Sequence, residues 1–307
     1  MKVLITGGAG YVGGALTDLL LDTDHEIRVY DSLVYEEAYL KPVPFIRGDI
    51  TNRKLLREQL EWADCVVWLG AIVGDGACAI NPGYTKAINQ DSVKWLSENF
   101  NGRIIFMSTC SVYGAQDGLL TEDSPTNPLS VYAQTKLEAE AYLKDKNAII
   151  FRLGTLFGLG DNYSRIRLDL VVNTLTARAI SEGKLTVFGG EQYRPLLHVK
   201  DAAQAIVDSL ETKHRGIYNL HLENIKIYEL AAVVAIQFPC KIDTVEISFE
   251  DSRNYRANSE KANLIGLNPK MSVEQGILEV GALLKEGRIK DPNNERYSNH
   301  GFLTKNS

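Results

Sequence analysis

The segment Thr6-Gly7-Gly8-Ala9-Gly10-Tyr11-Val12-Gly13 constrains this chain more than any other. A short apolar run, Val3–Thr6, leads into it, and a leucine-bearing helical pattern, Ala15–Leu21, follows. The glycines Gly7, Gly10 and Gly13 are spaced for three tasks: a tight turn, close approach of backbone to a pyrophosphate, and packing of helix on strand. The helix opening here adds amide groups and the positive end of its dipole. Strand, loop and helix together predict a dinucleotide site built on Gly7, Gly10, Tyr11, Val12 and Gly13. Glycines alone also make plain turns, so the flanking elements carry this reading. Asp31 adds to it. It closes the second apolar run, Ile27–Tyr30, about 20 residues past the loop, where a carboxylate accepts hydrogen bonds from an adenosine ribose. Such a carboxylate repels a 2′-phosphate, and no Arg or Lys follows at once, so NAD is expected over NADP. The plainer alternative is a turn aspartate. Asp49, after Ile46-Arg47-Gly48, is expected near the adenine edge.

Strand-like and helix-like runs alternate through the first half: Phe45–Arg47, Leu55–Glu61, Cys65–Leu69, Asp91–Glu98, Ile104–Met107, Tyr132–Lys144 and Ile149–Leu153. This alternation predicts βαβ crossovers and a parallel sheet. Further on, helical patterns cover Leu168–Ser181, His198–Leu210, Ile227–Gln237 and Val273–Lys285. Strand patterns cover Leu185–Phe188, Ile217–Leu220 and Thr244–Ile247. The expected architecture is α/β: a Rossmann doubly wound parallel sheet with a smaller C-terminal α/β substrate lobe. The Rossmann part takes residues 1–160 plus about 196–221; the lobe takes about 161–195 plus 222–290. Residues 291–307 show no periodicity and are expected to form a loosely ordered terminus.

Composition narrows the function classes. With 33 basic and 39 acidic residues the formal charge is −6, against a nucleic-acid binder, which needs a basic surface. Cys65, Cys78, Cys110 and Cys240 form no C-x-x-C pair and have no histidine at metal-ligand spacing, so neither a disulfide framework nor a metal is expected, and a cytoplasmic setting fits. No apolar run nears the ~20 residues of a membrane span. No signal-peptide pattern opens the chain.

Tyr132 and Lys136 are spaced i, i+4 on a predicted helix and share one face. A tyrosine of ordinary pKa ~10 serves as a base near neutrality only if its phenolate is stabilised, and a lysine ammonium can do that. Tyr142 and Lys146 repeat the spacing. Tyr132, however, stands at the helix start beside the capping candidate Ser130, at the carboxyl edge of the sheet where α/β ligands bind. The run Met107-Ser108-Thr109-Cys110-Ser111 ends a strand in hydroxyls at that same edge. Thr109 is then placed to share a substrate hydroxyl with Tyr132, unless these hydroxyls only terminate the strand.

The three motifs in this order resemble the extended short-chain dehydrogenase/reductases, in particular the NAD-dependent sugar-nucleotide epimerase/dehydratase branch. Later matches include Arg152 with Gly154-Thr155-Leu156-Phe157-Gly158, Arg194-Pro195-Leu196-Leu197-His198-Val199-Lys200-Asp201 and Asp251-Ser252-Arg253-Asn254-Tyr255. The resemblance implies that Thr109 orients the sugar hydroxyl, Tyr132 is the base and Lys136 tunes it. It extends the cofactor contacts to Ser32, Ile50, Leu69, Gly70, Ala71 and Ser108. It implies substrate contacts at Cys78, Thr155, Arg167, Asp169, Leu170, Arg194 and Arg253, with the arginines on a diphosphate. It also implies a homodimer through a four-helix bundle.

Three features depart from the branch, one being Leu69-Gly70-Ala71 in place of the usual Leu-Ala-Ala after the fourth strand. Its 4,6-dehydratases carry an acid after the threonine, where this chain has Cys110 and Ser111, so sugar dehydration is not expected. Thr155 stands where asparagine is common. The segments around Ala71-Ile72-Val73-Gly74, Arg165–Asn173 and Ser298–Phe302 resemble GDP-heptose 4-dehydrogenases of bacterial surface-polysaccharide pathways. Cys78 reads equally well as a small buried hydrophobe. The expected activity is hydride transfer at C4 of a nucleotide-linked sugar, as epimerase or dehydrogenase, with NAD held tightly. A non-catalytic NAD-binding module and a keto-sugar reductase using soluble NADH are the alternatives.

Overall fold

The computed structural model describes residues 1–161, 165–245 and 254–306. The chain opens with β1 (Lys2–Thr6), α1 (Tyr11–Leu21), β2 (Glu26–Asp31), β3 (Phe45–Arg47), α2 (Arg53–Trp62) and β4 (Cys65–Trp68). It continues through α3 (Asp75–Ile80), α4 (Pro82–Lys86), a π-helical stretch at Ala87–Asp91, and α5 (Ser92–Asn99). Next come β5 (Arg103–Thr109), β6 (Leu119–Leu120), α6 (Val131–Leu143), β7 (Ala148–Leu153) and β8 (Thr155–Phe157). Then follow α7 (Val171–Glu182), β9 (Lys184–Phe188), β10 (Tyr193–His198), α8 (Val199–Ser209), β11 (Gly216–Leu220) and β12 (Glu223–Lys226). The chain closes with α9 (Ile227–Gln237), β13 (Lys241–Val245), β14 (Arg256–Ala257), α10 (Glu260–Asn263), α11 (Val273–Lys285) and α12 (Asn299–Lys305).

Seven strands form one sheet in the order β3-β2-β1-β4-β5-β7-β11, every neighbouring pair parallel. The strands of such a sheet are covered on both faces, and β4, β5 and β7 are buried along their whole length. One face packs against α1 and α8 through Leu16, Leu20 and Ile206. The other packs against α2, α5 and α6 through Leu56, Leu96 and Leu143. Strand order reverses between β1 and β4, so a crevice opens at the carboxyl ends of those strands, the usual place for a ligand in such sheets. β11 returns to the sheet beside β7, with Tyr218 opposite Phe151.

A smaller layer stands over that edge. β10 pairs with β8 in parallel and with β12 antiparallel, and β9 pairs with β13. Their apolar faces meet α7, α9 and α11 around Phe157, Leu196 and Leu230. Two sequence readings need correction. The helix expected from Asp91 is preceded by a π-helical stretch, whose Asn89 turns inward and makes both a donor and an acceptor contact with the Ile72 backbone, each at 2.8 Å. Such insertions often occur at functional sites. The tail, expected to be loose, instead forms a short 3₁₀ turn and α12. Ser298 caps α12 at the Gly301 amide, and Asn299 is 5% exposed. The tail's order comes from tertiary contacts, which its sequence pattern does not display.

Candidate active site

The glycine loop is shaped by close backbone approach. Gly7 has φ +72°, and a Cβ there would stand 2.6 Å from the Gly70 nitrogen. A Cβ on Gly13 would meet the Gly8 Cα at 2.5 Å. Neither position has room for a side chain. Gly10 ends the loop as the N-cap of α1, and no side chain caps the helix there. The amides of that first turn therefore face a cavity of about 310 Å³ lined by Gly7, Gly10, Tyr11, Val12 and Gly13. Asp31, at the end of β2, lines the same cavity. Its carboxylate accepts from the Ala9 amide at 3.0 Å and the Leu33 amide at 2.7 Å. Burial pushes its pKa up, and these two amides pull it back. Ser32, Asp49, Ile50, Leu69, Gly70 and Ala71 continue the wall. The Asp49 carboxylate also accepts from the Thr51 amide and hydroxyl, each at 2.7 Å.

The far side of the cavity holds Ser108, Thr109, Tyr132 and Lys136. Ser130 starts α6 by accepting from the Ala133 amide at 3.1 Å, and its hydroxyl donates to Asp75 at 2.7 Å. That cap sets Tyr132 in the first turn of α6, at the carboxyl edge of β5. Burial raises the Tyr132 pKa well above its ordinary value, Cys78 and Asp75 add to this, and the Thr109 hydroxyl and Arg167 act against it. Lys136 is 3% exposed. Its ammonium donates to the Met107 carbonyl at 2.8 Å and stands 4.8 Å from the Phe106 ring centroid. Burial lowers its pKa to about 8. Ser108 is held from below by the Glu140 carboxylate, which pairs with Arg152 at 2.7 Å.

Thr155, Arg167 and Leu170 also line the cavity. Three expected substrate residues do not. Cys78 has no exposed surface, its thiol donates to the Ile72 carbonyl at 3.3 Å, and burial pushes its pKa to about 12. It packs beneath the wall as a small apolar residue. Asp169 lies behind the wall and grips the Arg167 guanidinium with both oxygens, at 2.9 and 3.0 Å. Arg194 is the second residue of β10, 6% exposed, and donates to the Tyr193 carbonyl at 2.8 Å. Arg253 lies outside the described residues. Sequence reasoning overlooked Tyr35, Asp75, Arg165 and Asn299, which all line the cavity. For Asp75 a signal existed: an acid in the first turn of a short helix just past the Leu69-Gly70-Ala71 run. Arg165 and Asn299 lie in two segments that carried the resemblance, Arg165–Asn173 and Ser298–Phe302, but nothing local placed either side chain at the cavity.

These donors suit a dinucleotide. Packed glycines leave a cradle that side chains would fill, the uncapped amides of α1 face it, and the Asp31 carboxylate closes its far end. The profile of the "NAD dependent epimerase/dehydratase family" matches residues 3–220. A UDP-glucose 4-epimerase of Corynebacterium glutamicum is 30% identical over 253 residues, covering 72% of this chain and 75% of the relative. UDP-glucuronic acid decarboxylase 4 of Arabidopsis thaliana is 26% identical over 301 residues, covering 90% of this chain and 67% of the relative. The X-ray structure of Pal from Bacillus thuringiensis superposes with a TM-score of 0.81 at 25% identity, covering 93% of this chain and 99% of that one. The chain belongs to the NAD dependent epimerase/dehydratase family, and its cofactor is NAD.

Proposed function

We propose that this enzyme oxidises C4 of a nucleotide-diphosphate sugar to the 4-keto form, acting as an epimerase or 4-dehydrogenase in the building of surface polysaccharide. The observation that carries the reading is the shared cavity: Thr109, Tyr132 and Lys136 face the glycine loop and Asp31 across one space. Bound NAD supplies the acceptor for the C4 hydride and the donor for the return step. Tyr132 takes the hydroxyl proton from O4, and Thr109 shares that oxygen through its own hydroxyl. Arg167 acts against the rise that burial imposes on Tyr132, and the buried Lys136 ammonium, one turn further along α6, is the second source of the positive charge that a phenolate needs. If the keto sugar turns over before the hydride returns, the product is the C4 epimer. If it leaves, the enzyme is a dehydrogenase.

Dehydration is disfavoured for a local reason. The position after Thr109 is Cys110, which is fully buried with its thiol on the Arg152 carbonyl at 3.2 Å. Ser111 follows and lines the cavity, but a hydroxyl is no acid for expelling water. The same reading carries a homodimer and a cytoplasmic setting. Mass spectrometry of ligands released from the purified protein, followed by incubation with UDP-, GDP- and dTDP-hexoses and GDP-heptose, tests it. A 4-keto sugar or a C4 epimer is expected; turnover of none of them, with NAD bound and Tyr132 intact, would sink the reading.

A further inference from the structure

One cation of the cavity has no task in that reading. Arg165 is 4% exposed and lines the cavity. Its Nε donates to Asn299 Oδ1 at 3.0 Å. Its Nη1 stands 4.0 Å from the Glu36 carboxylate, which Arg296 also approaches at 3.8 Å. Its Nη2 is buried and has no hydrogen-bond partner among the described residues. The guanidinium lies 4.0 Å from the Tyr35 ring centroid and 5.8 Å from that of Phe302. Burial lowers its pKa to about 10, so it stays cationic at neutral pH. Tyr35 lines the same cavity, and its hydroxyl is likewise buried without a partner among the described residues. A buried donor left unpaired costs about 1–3 kcal/mol, more when charged, so two in one cavity wall point to an acceptor that arrives with the ligand. Guanidinium forks match phosphate oxygens well.

What keeps this arginine in place is the C-terminal helix. Asn299 is the hub. Its Oδ1 takes Arg165, its Nδ2 donates to the Val73 carbonyl at 3.0 Å, and its backbone amide donates to Asp169 at 2.8 Å. Asp169 in turn holds Arg167. The Leu168 amide donates to the Tyr297 carbonyl at 2.9 Å. The segment bearing both arginines is thus strapped from the tail, and Phe302 covers the Tyr35 ring at 5.3 Å.

We propose that Arg165 is a phosphate-binding residue of the active site, held in place by the C-terminal helix through Asn299, and that it contacts the diphosphate of NAD or of the sugar nucleotide. The second source rests on the function proposed above; the first does not. The test measures NADH affinity by fluorescence and UDP and GDP affinity by calorimetry, on wild type, Arg165→Gln, Arg165→Lys and Asn299→Ala. Arg165→Gln is expected to weaken one class of ligand roughly 10- to 100-fold and leave the other within about threefold. Arg165→Lys should recover part of the loss. A loss confined to NADH assigns the cofactor's diphosphate; a loss confined to UDP or GDP assigns the substrate's. Asn299→Ala should weaken the same ligand by a smaller factor at an unchanged melting temperature. Unaltered affinities in Arg165→Gln, or equal losses for every ligand, would overturn the assignment, and an Asn299→Ala protein with wild-type affinities would remove the helix from it. A wild type that binds NADH but neither UDP nor GDP sinks the nucleotide-sugar reading, while the NADH arm still decides Arg165.

Discussion

Two clusters of ionisable groups in this molecule, one half-buried at a junction and one buried around the cavity, are built on opposite plans. At the junction between the sheet and the smaller layer, Glu279 on α11 accepts from the Leu159 amide at 3.2 Å and Lys200 at 2.6 Å, and pairs with His198 at 3.0 Å. Burial alone would raise its pKa, yet His198 and Lys200 outweigh burial and hold it at about 2. Around the cavity the balance runs the other way. Burial prevails at Tyr132 and Lys136, and the Tyr35 hydroxyl and one Arg165 nitrogen lack partners among the described residues. The first cluster is satisfied within the chain and serves cohesion. The second is left incomplete in a space that a ligand fills, as expected where strain and unmet hydrogen-bonding capacity gather at a site.

The contrast can be broken at several points. The largest expected effect is Tyr132→Phe, which should lower kcat about 10²- to 10⁴-fold in steady-state assays with the turned-over sugar nucleotide. Its circular dichroism and melting temperature should stay near wild type, because the lost hydroxyl bonds only the Thr109 side chain among the described residues, at the cavity wall, while the ring stays in place. Retention of full activity would end the assignment of the base. Next comes pH. If the Lys136 ammonium supports the phenolate, kcat/KM should decline as pH rises through about 8, where that ammonium loses its proton. Lys136→Arg should move this alkaline limb upward; a limb left in place would show that another group titrates.

The smallest effect on turnover, and a clear one on stability, is expected at the junction. A carboxyl displaced from 4.5 to about 2 contributes at most about 3.5 kcal/mol, at roughly 1.4 kcal/mol for each pH unit. That contribution is present above the unfolded value of 4.5 and lost as pH falls toward 2. Glu279→Gln should therefore lower the denaturation midpoint at pH 7 with kcat unchanged, and the gap from wild type should narrow below pH 4.5. A variant that loses turnover but not stability would reverse the comparison.

Much of the edge that lines the cavity was legible in the sequence because its signals are local. Gly7, Gly10 and Gly13 sit between a strand and a helix, Asp31 ends the next strand, and Tyr132 with Lys136 follows its own cap, Ser130. Turn chemistry, helix period and strand ends are short-range facts. Arg194 and Cys78 show where such reasoning stopped. Their type and motif pointed to a ligand, but the packing of β10 and α3 keeps both off the cavity wall. The tail shows the reverse case, since its polar, aperiodic residues read as loose chain.

By itself, then, the sequence determined a doubly wound sheet, a dinucleotide loop and the Thr109–Tyr132–Lys136 edge, since each is written in neighbouring residues. Tertiary structure decided which of the expected arginines face the cavity, Arg167 but not Arg194, and added Arg165 to them. Asn299 meets Arg165 across 134 residues and Val73 across 226. No local period records a contact between elements so far apart. It arises only when burial of the two layers brings the tail onto the sheet's carboxyl edge.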